Sequence, residues 1–289
     1  MSARDEAPRV VVTGATGAVG RHVTRALARR GPVRSLVRDA SRARRLELPG
    51  ETVVGDYRDG PALKRALAGA DAVFVVTANP LRPQDDAQIL DAARAAGVRK
   101  AVKLSWLAVA DPSANDLIAR WNRQSEQMLR TSGLAWTVLR MRTPMSNTLS
   151  WASSIREESV VRALDGNART ACVDPRDVAE VAVRALTEAG HEGVTYALTG
   201  PEPIGAREQT EILARVVGRP LAFEELTAEQ ALERWSARLP GAVAEALLEA
   251  AQRRRAGDSS EVGDDLGRLI GRPPATFASW AADHAAAFS

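Results

Sequence analysis

Gly14, Gly17 and Gly20 recur every third residue in VVTGATGAVG (residues 11–20), directly after a run of valines. Glycines there let a strand turn sharply into a helix and let another group approach the backbone. In this reading Gly14 makes the turn, Gly17 admits a diphosphate, and Gly20 lets the helix lie close to the strand. A helix start carries unpaired N–H groups and partial positive charge, the complement of a pyrophosphate. The spacing is GxxGxxG, a variant of the GxGxxG dinucleotide signature. Thr13, Thr16, Ala18 and Val19 complete the loop.

The second cluster is basic. An enzyme that uses NAD often ends its second strand in an acid that binds the ribose 2′-hydroxyl. Here the segment reads LVRD and Arg38 holds that place, with Arg42 four residues on. A guanidinium suits a 2′-phosphate, so NADPH is the expected cofactor. Asp39 follows at once, which leaves NADH open, although it also reads as a helix cap. Asp56 and Tyr57 follow the third strand, where an adenine would lie, and Thr77, Ala78 and Asn79 follow the fourth. At the opposite end of the cleft, Trp106 and the segment Pro144, Met145, Ser146 and Asn147 are candidates to border a planar substrate. Core packing is the competing reading for Trp106 and Met145.

These clusters need a frame, and the first half of the chain supplies one by alternation. Apolar runs (PRVVVTG, VRSLVR, ETVVGD, DAVFVVTA, RKAVKLSW, LAWTVLRM) read as six strands. Between them lie amphipathic stretches. AVGRHVTRALARRG carries a stripe at Val19, Val23, Ala26 and Leu27, and GPALKRALAGA has Pro61 in its first turn. Short βα connections imply parallel strands with helices on both faces, hence an α/β doubly wound Rossmann sheet. After Met141 the pattern changes. RTPMSNTLSWASS reads as a loop, SVVRAL as a short strand, DPRDVAEVAVRALTEAG as a strong helix and GVTYALTG as a strand. The rest reads as mostly helical. We expect residues 1–150 to form the NAD(P)-binding domain and 151–289 a smaller helix-rich substrate lobe, with helix 174–188 packing back on the sheet.

Composition narrows the class. The 289 residues are 45% apolar and 26% charged, with a formal charge of +3. Arginine supplies nearly all the cations, since only Lys64, Lys100 and Lys103 are lysines. Solvated helix faces explain arginines so distributed better than a nucleic-acid footprint does. Cys172 is alone, so no disulfide or CxxC pair exists within the chain. His22, His191 and His284 are scattered, which argues against a metal site. No GxSxG elbow or GxxxxGK[ST] loop occurs. The polar N-terminal segment MSARDEAPR has no signal-peptide core, and no apolar run has membrane-span length. A cytoplasmic protein is the default, with no nucleic-acid or membrane partner and no signal for oligomeric state.

With these residues in view, the chain resembles the atypical short-chain dehydrogenase/reductases, in the NmrA-like and NAD(P)H:quinone-oxidoreductase-like branch. VTGATGAVG is similar to that branch's nucleotide loop and VRDASRA to its second-strand end. VVGDYRD, ADAVFVVTA, AVKLSW with SEQMLRTSGLAWTVLR, VDPRDVAEVA and YALTGPE carry the likeness along nearly the whole chain. Most short-chain reductases place a Tyr-x-x-x-Lys pair on the helix after the fifth strand, plus a serine. Here ANDLIARWNRQSEQMLRTSG holds neither Tyr nor Lys, and the two tyrosines, Tyr57 and Tyr196, are not placed for that task. Ser105 keeps a hydroxyl where a substrate oxygen would lie, and Asn122 stands near the family's Lys or His position. Asn can hydrogen-bond a ribose or carbonyl but is no acid.

The resemblance therefore implies an NADPH-dependent oxidoreductase that works without the Tyr/Lys pair on a quinone or a conjugated, polycyclic aromatic ketone. A quinone accepts hydride to give a stabilised phenolate that water can protonate. Two alternatives stay open: a non-catalytic NADP sensor, and a ketoreductase that tailors a natural product.

Overall fold

The computed structural model describes residues 7–255 and 260–289. Residues 1–6 of the polar N-terminal segment and residues 256–259, after the arginine run, lie outside the described residues. The strands are β1 (Val10–Thr13), β2 (Val33–Val37), β3 (Glu51–Val54), β4 (Ala72–Val75), β5 (Lys100–Trp106), β6 (Ala135–Met141), β7 (Val160–Leu164), β8 (Val194–Leu198) and β9 (Ala222–Leu226). The first-half helices are α1 (Gly20–Ala28), α2 (Ala40–Arg45), α3 (Gly60–Leu67), α4 (Gln84–Ala95) and α5 (Leu117–Arg130). They are followed by α6 (Ala152–Glu158), α7 (Pro175–Thr187), α8 (Ala206–Val217), α9 (Ala228–Ser236), α10 (Gly241–Arg255), α11 (Asp265–Ile270) and α12 (Phe277–Asp283).

Seven strands form one sheet in the order β3-β2-β1-β4-β5-β6-β8. The β1–β2, β2–β3, β1–β4 and β4–β5 pairs are parallel. The order reverses between β1 and β4, the place where doubly wound sheets open a crevice at their carboxyl ends. Helices α1 and α7 lie against each other, and α7 also contacts β4 and β5. Another layer, with Leu63 and Leu67 of α3, Ile89 and Leu90 of α4 and Leu129 of α5, packs on Val11, Leu36, Val73 and Val75 of the sheet.

Local chemistry sets the helix starts. The Asp39 carboxylate accepts N–H bonds from Ser41 and Arg42 at the head of α2, and Asp59 accepts from Ala62 at the head of α3. Arg34 interrupts the apolar run of β2 yet is buried. Its guanidinium caps the far end of α3, donating to the carbonyls of Arg65, Ala66 and Ala68 at 3.2, 2.6 and 3.0 Å.

The chain builds two compact units from alternating segments. The first comprises the chain up to Val109, Trp121–Arg140 and Pro175–Tyr196; the second comprises Ala110–Arg120, Met141–Asp174 and the chain from Ala197 on. The second unit is not helical throughout: β9 pairs with β7 in parallel, Val160 opposite Ala222. The segment expected as a loop after Met141 holds a 3₁₀ stretch, Met145–Trp151, and α6. Its core centres on Trp280, fully buried, with Phe277 stacked at 5.7 Å and His284 at 4.2 Å between ring centroids. Truncating such a tryptophan to alanine costs about 3–5 kcal/mol. Cys172 lies in the same core, and burial pushes its thiol up to about 12.

Candidate active site

The β1–α1 turn begins with Gly14 at φ +62°, where a Cβ would lie 2.9 Å from Val76 Cβ. At Gly20 a Cβ would lie 2.3 Å from Gly14 O, so only glycine lets α1 start against the loop. At Gly17 a Cβ would meet a single atom, Gly14 O at 3.1 Å, with nothing else inside 4 Å. Space therefore stands open above Gly17. No side chain caps α1 and its first turn holds no acid, so its positive end is left for an anion. The cradle fits a diphosphate. Thr13 works beneath it: the buried Oγ1 accepts the Val76 N–H at 2.7 Å and lies 3.0 Å from Phe74 O, tying β1 to β4. Thr16 and Ala18 are half-buried on the loop, and Val19 is buried.

Arg38 is exposed just past β2, and Arg42 reaches from α2 to Thr16 O at 3.4 Å, across the loop. Asp39 is occupied as a cap; the N–H bonds from Arg42 and Ser41 hold its carboxyl below the ordinary value. Asp39 is thus turned to its own helix, while Arg42 reaches the glycine loop and Arg38 lies exposed at the end of β2. Past β3, Asp56 accepts from Arg58 N and Nε at 3.0 and 3.1 Å and has Arg82 at 3.6 Å. Tyr57 donates to Val76 O at 3.1 Å, and burial raises its phenol above the usual range.

The β4 and β5 ends carry an unexpected set of buried charges. Register places Val75 opposite Lys103. Lys103 Nζ pairs with Asp86 at 2.8 Å, and both side chains are 0% exposed. Thr77 and Ser125 donate to the other Asp86 oxygen at 2.9 and 2.8 Å. The Trp121 ring centroid lies 5.7 Å from Nζ. Beside this set, Ser105 donates to Glu126 at 2.6 Å, with Asn122 Oδ1 at 3.5 Å. Arg140 clamps the same carboxylate at 2.9 and 2.7 Å and Arg130 at 2.9 Å. Burial pushes Glu126 upward, but bonds from Arg140 and Ser105 outweigh it and hold the carboxyl below its ordinary value. Ala78 and Asn79 are exposed, and Asn79 Oδ1 accepts from Leu81 N at 3.1 Å.

Lys103, Asp86, Glu126 and Arg140 were not singled out by the sequence reading. Lys103 offered one signal, being a lysine inside an apolar strand in a chain with only three.

Trp106 ends β5 half-buried in the first unit. The other substrate candidates belong to the second. Pro144 bridges to Val173, Met145 is fully buried in that unit's core, Ser146 is half-buried and Asn147 is exposed. Among the described residues, no group of three or more His, Cys, Asp or Glu could hold a metal ion. No helix among them is long and apolar enough to cross a membrane.

A glycine cradle at the point where strand order reverses, with Arg42 reaching its loop and no Tyr/Lys pair on α5, defines an atypical short-chain reductase that binds a dinucleotide. Comparison with known proteins gives the particular family. Residues 14–189 match the NAD(P)H-binding family model. The chain is 55% identical over 283 residues to the (4-alkanoyl-5-oxo-2,5-dihydrofuran-3-yl)methyl phosphate reductase of Streptomyces griseus, covering 97% of this chain and 99% of that one. It is 37% identical to the NAD(P)H azoreductase of Xenophilus azovorans, over 96% and 99% of the two chains. The crystal structure of the Escherichia coli NADPH-dependent quinone oxidoreductase complexed with NADPH superposes with a TM-score of 0.81 at 28% identity, over 95% of this chain and 99% of that one. The chain belongs to the NAD(P)H-binding family that includes the quinone oxidoreductase, and it is an NAD(P)H-dependent oxidoreductase.

Proposed function

We propose that this protein uses NADPH to reduce the ring double bond of a 4-acylated butenolide that carries a methyl phosphate arm. The observation that carries the reading is the 55% identity, end to end, with a reductase named for that substrate. In such a ring the C3=C4 bond bears a lactone carbonyl and an acyl carbonyl on C4. Hydride arriving at C3 leaves a carbanion delocalised over both carbonyls, and water or buffer then protonates it.

The protein's residues suit that chemistry. The loop from Gly14 to Gly20 would hold the diphosphate, and Arg38 and Arg42 would hold a 2′-phosphate. When bound, NADPH supplies the hydride. No Tyr or Lys on α5 supplies a proton, and the stabilised anion makes a strong acid unnecessary.

The test is purified protein with NADPH and the synthetic butenolide phosphate, followed by loss of NADPH absorbance and mass analysis for the dihydro product. Rapid turnover of the butenolide supports the reading. Turnover of quinones or azo dyes with none of the butenolide would replace it with the second reading, which the azoreductase relative favours. NADPH binding without oxidation by any acceptor would leave the sensor.

A further inference from the structure

A hydroxyl has one proton to give and two lone pairs with which to accept. At the carboxyl edge of the sheet, Thr77 gives its proton to Asp86 at 2.9 Å and Ser105 gives its own to Glu126 at 2.6 Å. The two positions are neighbours, since Val75 faces Lys103 two residues earlier on each strand. Both carboxylates are fully buried and both are fixed by cations: Asp86 by Lys103, Glu126 by Arg140 and Arg130. Charge-assisted bonds of this kind are the strong ones. In this state both hydroxyl oxygens can only accept.

A quinone, an acyl group and a lactone have no proton to offer through their carbonyls, so these two hydroxyls do not match the reacting oxygen of the substrate. The nicotinamide half of the cofactor does offer donors, the carboxamide NH₂ and the ribose hydroxyls. With the diphosphate at the β1–α1 turn, that half of a dinucleotide falls on the β4–β5 side of the switch point. We infer that the Thr77 and Ser105 oxygens form an accepting pair that fixes the nicotinamide half through its hydrogen-bond donors. Lys103 and Arg140 are positioning residues that, through Asp86 and Glu126, keep both hydroxyls in the accepting state.

The energetics of the Lys103 set point the same way. A fully buried ion pair is often matched or bettered in stability by apolar residues of similar volume. Among the described residues, Lys103 Nζ has no hydrogen-bond partner apart from its ion pair with Asp86, and neither does the buried Trp121 Nε1 beside it. The arrangement is poorly built as a pure stabiliser and well built to orient the Thr77 and Ser125 hydroxyls around one carboxylate oxygen.

The inference rests on the dinucleotide site and not on which acceptor is reduced, so any quinone or butenolide phosphate that the unaltered protein reduces serves in the assay. Thr77→Val and Ser105→Ala are compared with Thr77→Ser and Ser105→Thr, which keep the hydroxyl. Thr77→Val and Ser105→Ala should each weaken NADPH binding about tenfold and together slow single-turnover oxidation at least tenfold, while affinity for 2′-phosphoadenosine 5′-diphosphate, which lacks the whole nicotinamide half, stays within twofold. The hydroxyl-keeping variants should recover most of both. The 3-acetylpyridine analogue of NADPH, which lacks the amide N–H, separates the two donors. If the carboxamide is the donor, Thr77→Val with Ser105→Ala costs the analogue little; if the ribose is, NADPH and the analogue fall alike.

The double variant Lys103→Met with Asp86→Leu should hold its melting temperature within a few degrees yet bind NADPH as weakly as Thr77→Val does. Wild-type NADPH affinity and turnover in Thr77→Val with Ser105→Ala would overturn the inference. So would a Ser105→Ala effect confined to the KM of the acceptor, because the serine would then be donating to substrate. Should the valine variant fail to fold, full recovery of NADPH affinity in the folded Met/Leu variant overturns the role of Lys103.

Discussion

A methyl group added at Gly17 has one neighbour, Gly14 O at 3.1 Å, whereas one added at Gly20 would sit 2.3 Å from that oxygen and 2.8 Å from its carbon. The two substitutions therefore separate binding from folding. For Gly17→Ala the backbone conformation is open to alanine and the loop must yield by only a few tenths of an ångström. Restricting the unfolded chain stabilises by about 0.4–1 kcal/mol, which offsets that small strain, so the melting temperature should stay within about 3 °C. The methyl instead occupies the space where the diphosphate meets backbone N–H groups. Losing one charge-assisted hydrogen bond there costs about 1.5–3 kcal/mol, or about 10- to 150-fold in NADPH affinity. Gly20→Ala drives Cβ into main chain that cannot rotate away, and overpacking of that kind costs about 1–3 kcal/mol in stability before any ligand is added. Thermal unfolding without ligand and fluorescence titration with NADPH measure both effects. If Gly17→Ala binds NADPH as tightly as the parent, or if its main effect is loss of stability, the diphosphate does not lie against this turn.

Arg38→Asp should weaken NADPH by about 10- to 100-fold and NADH much less; an equal fall for both in paired titrations would remove Arg38 from cofactor selection. Glu126→Gln leaves Arg130 and Arg140 facing a neutral amide and should cost about 3–5 kcal/mol at pH 7 in urea unfolding. Because the folded carboxyl lies below its unfolded value of about 4.3, its contribution is complete above that pH and fades as pH falls through the folded value, so the gap between variant and parent should close in acid. Turnover of a quinone should be flat from about pH 6 to 9, since Glu126 is held below that window and Tyr57 above it; a single ionisation inside it would reveal a proton donor.

The glycine loop was readable because its roles are backbone roles. Positive φ at Gly14 and close packing at Gly20 follow from spacing and from position between a strand and a helix. The first six strands were readable for a similar reason: buried parallel strands are short apolar runs, and VVVT, VRSLV and AVFV are buried throughout. β9 was not readable. AFEEL is largely exposed, its glutamates face Arg162 and Arg207, and its pairing with β7 joins residues about sixty positions apart. Nothing local marks such a strand. The two units were equally hidden, because short segments such as Ala110–Arg120 and Pro175–Tyr196 change sides along the chain.

The site's polar machinery was hidden for another reason. Ser105 was legible as a hydroxyl at a strand end, but its chemical sense depends on which way its proton points, and that is set by Glu126, a helix residue 21 positions on. Glu126 in turn is an ordinary exposed-looking glutamate until the fold brings Arg140 beside it from the next strand. The same holds for Thr77, whose partner Asp86 is one of two adjacent acids in the first turn of α4 with nothing local to mark it until Lys103 closes the pair. The missing Tyr/Lys pair could be seen in the sequence, and it argued for an acceptor that needs no acid. The structure sharpens that argument: the hydroxyls that remain at the β4–β5 edge have already committed their protons inward. Such an edge gives the product anion no proton, and an acceptor whose negative charge spreads over two carbonyls or a quinone ring needs none until water supplies it.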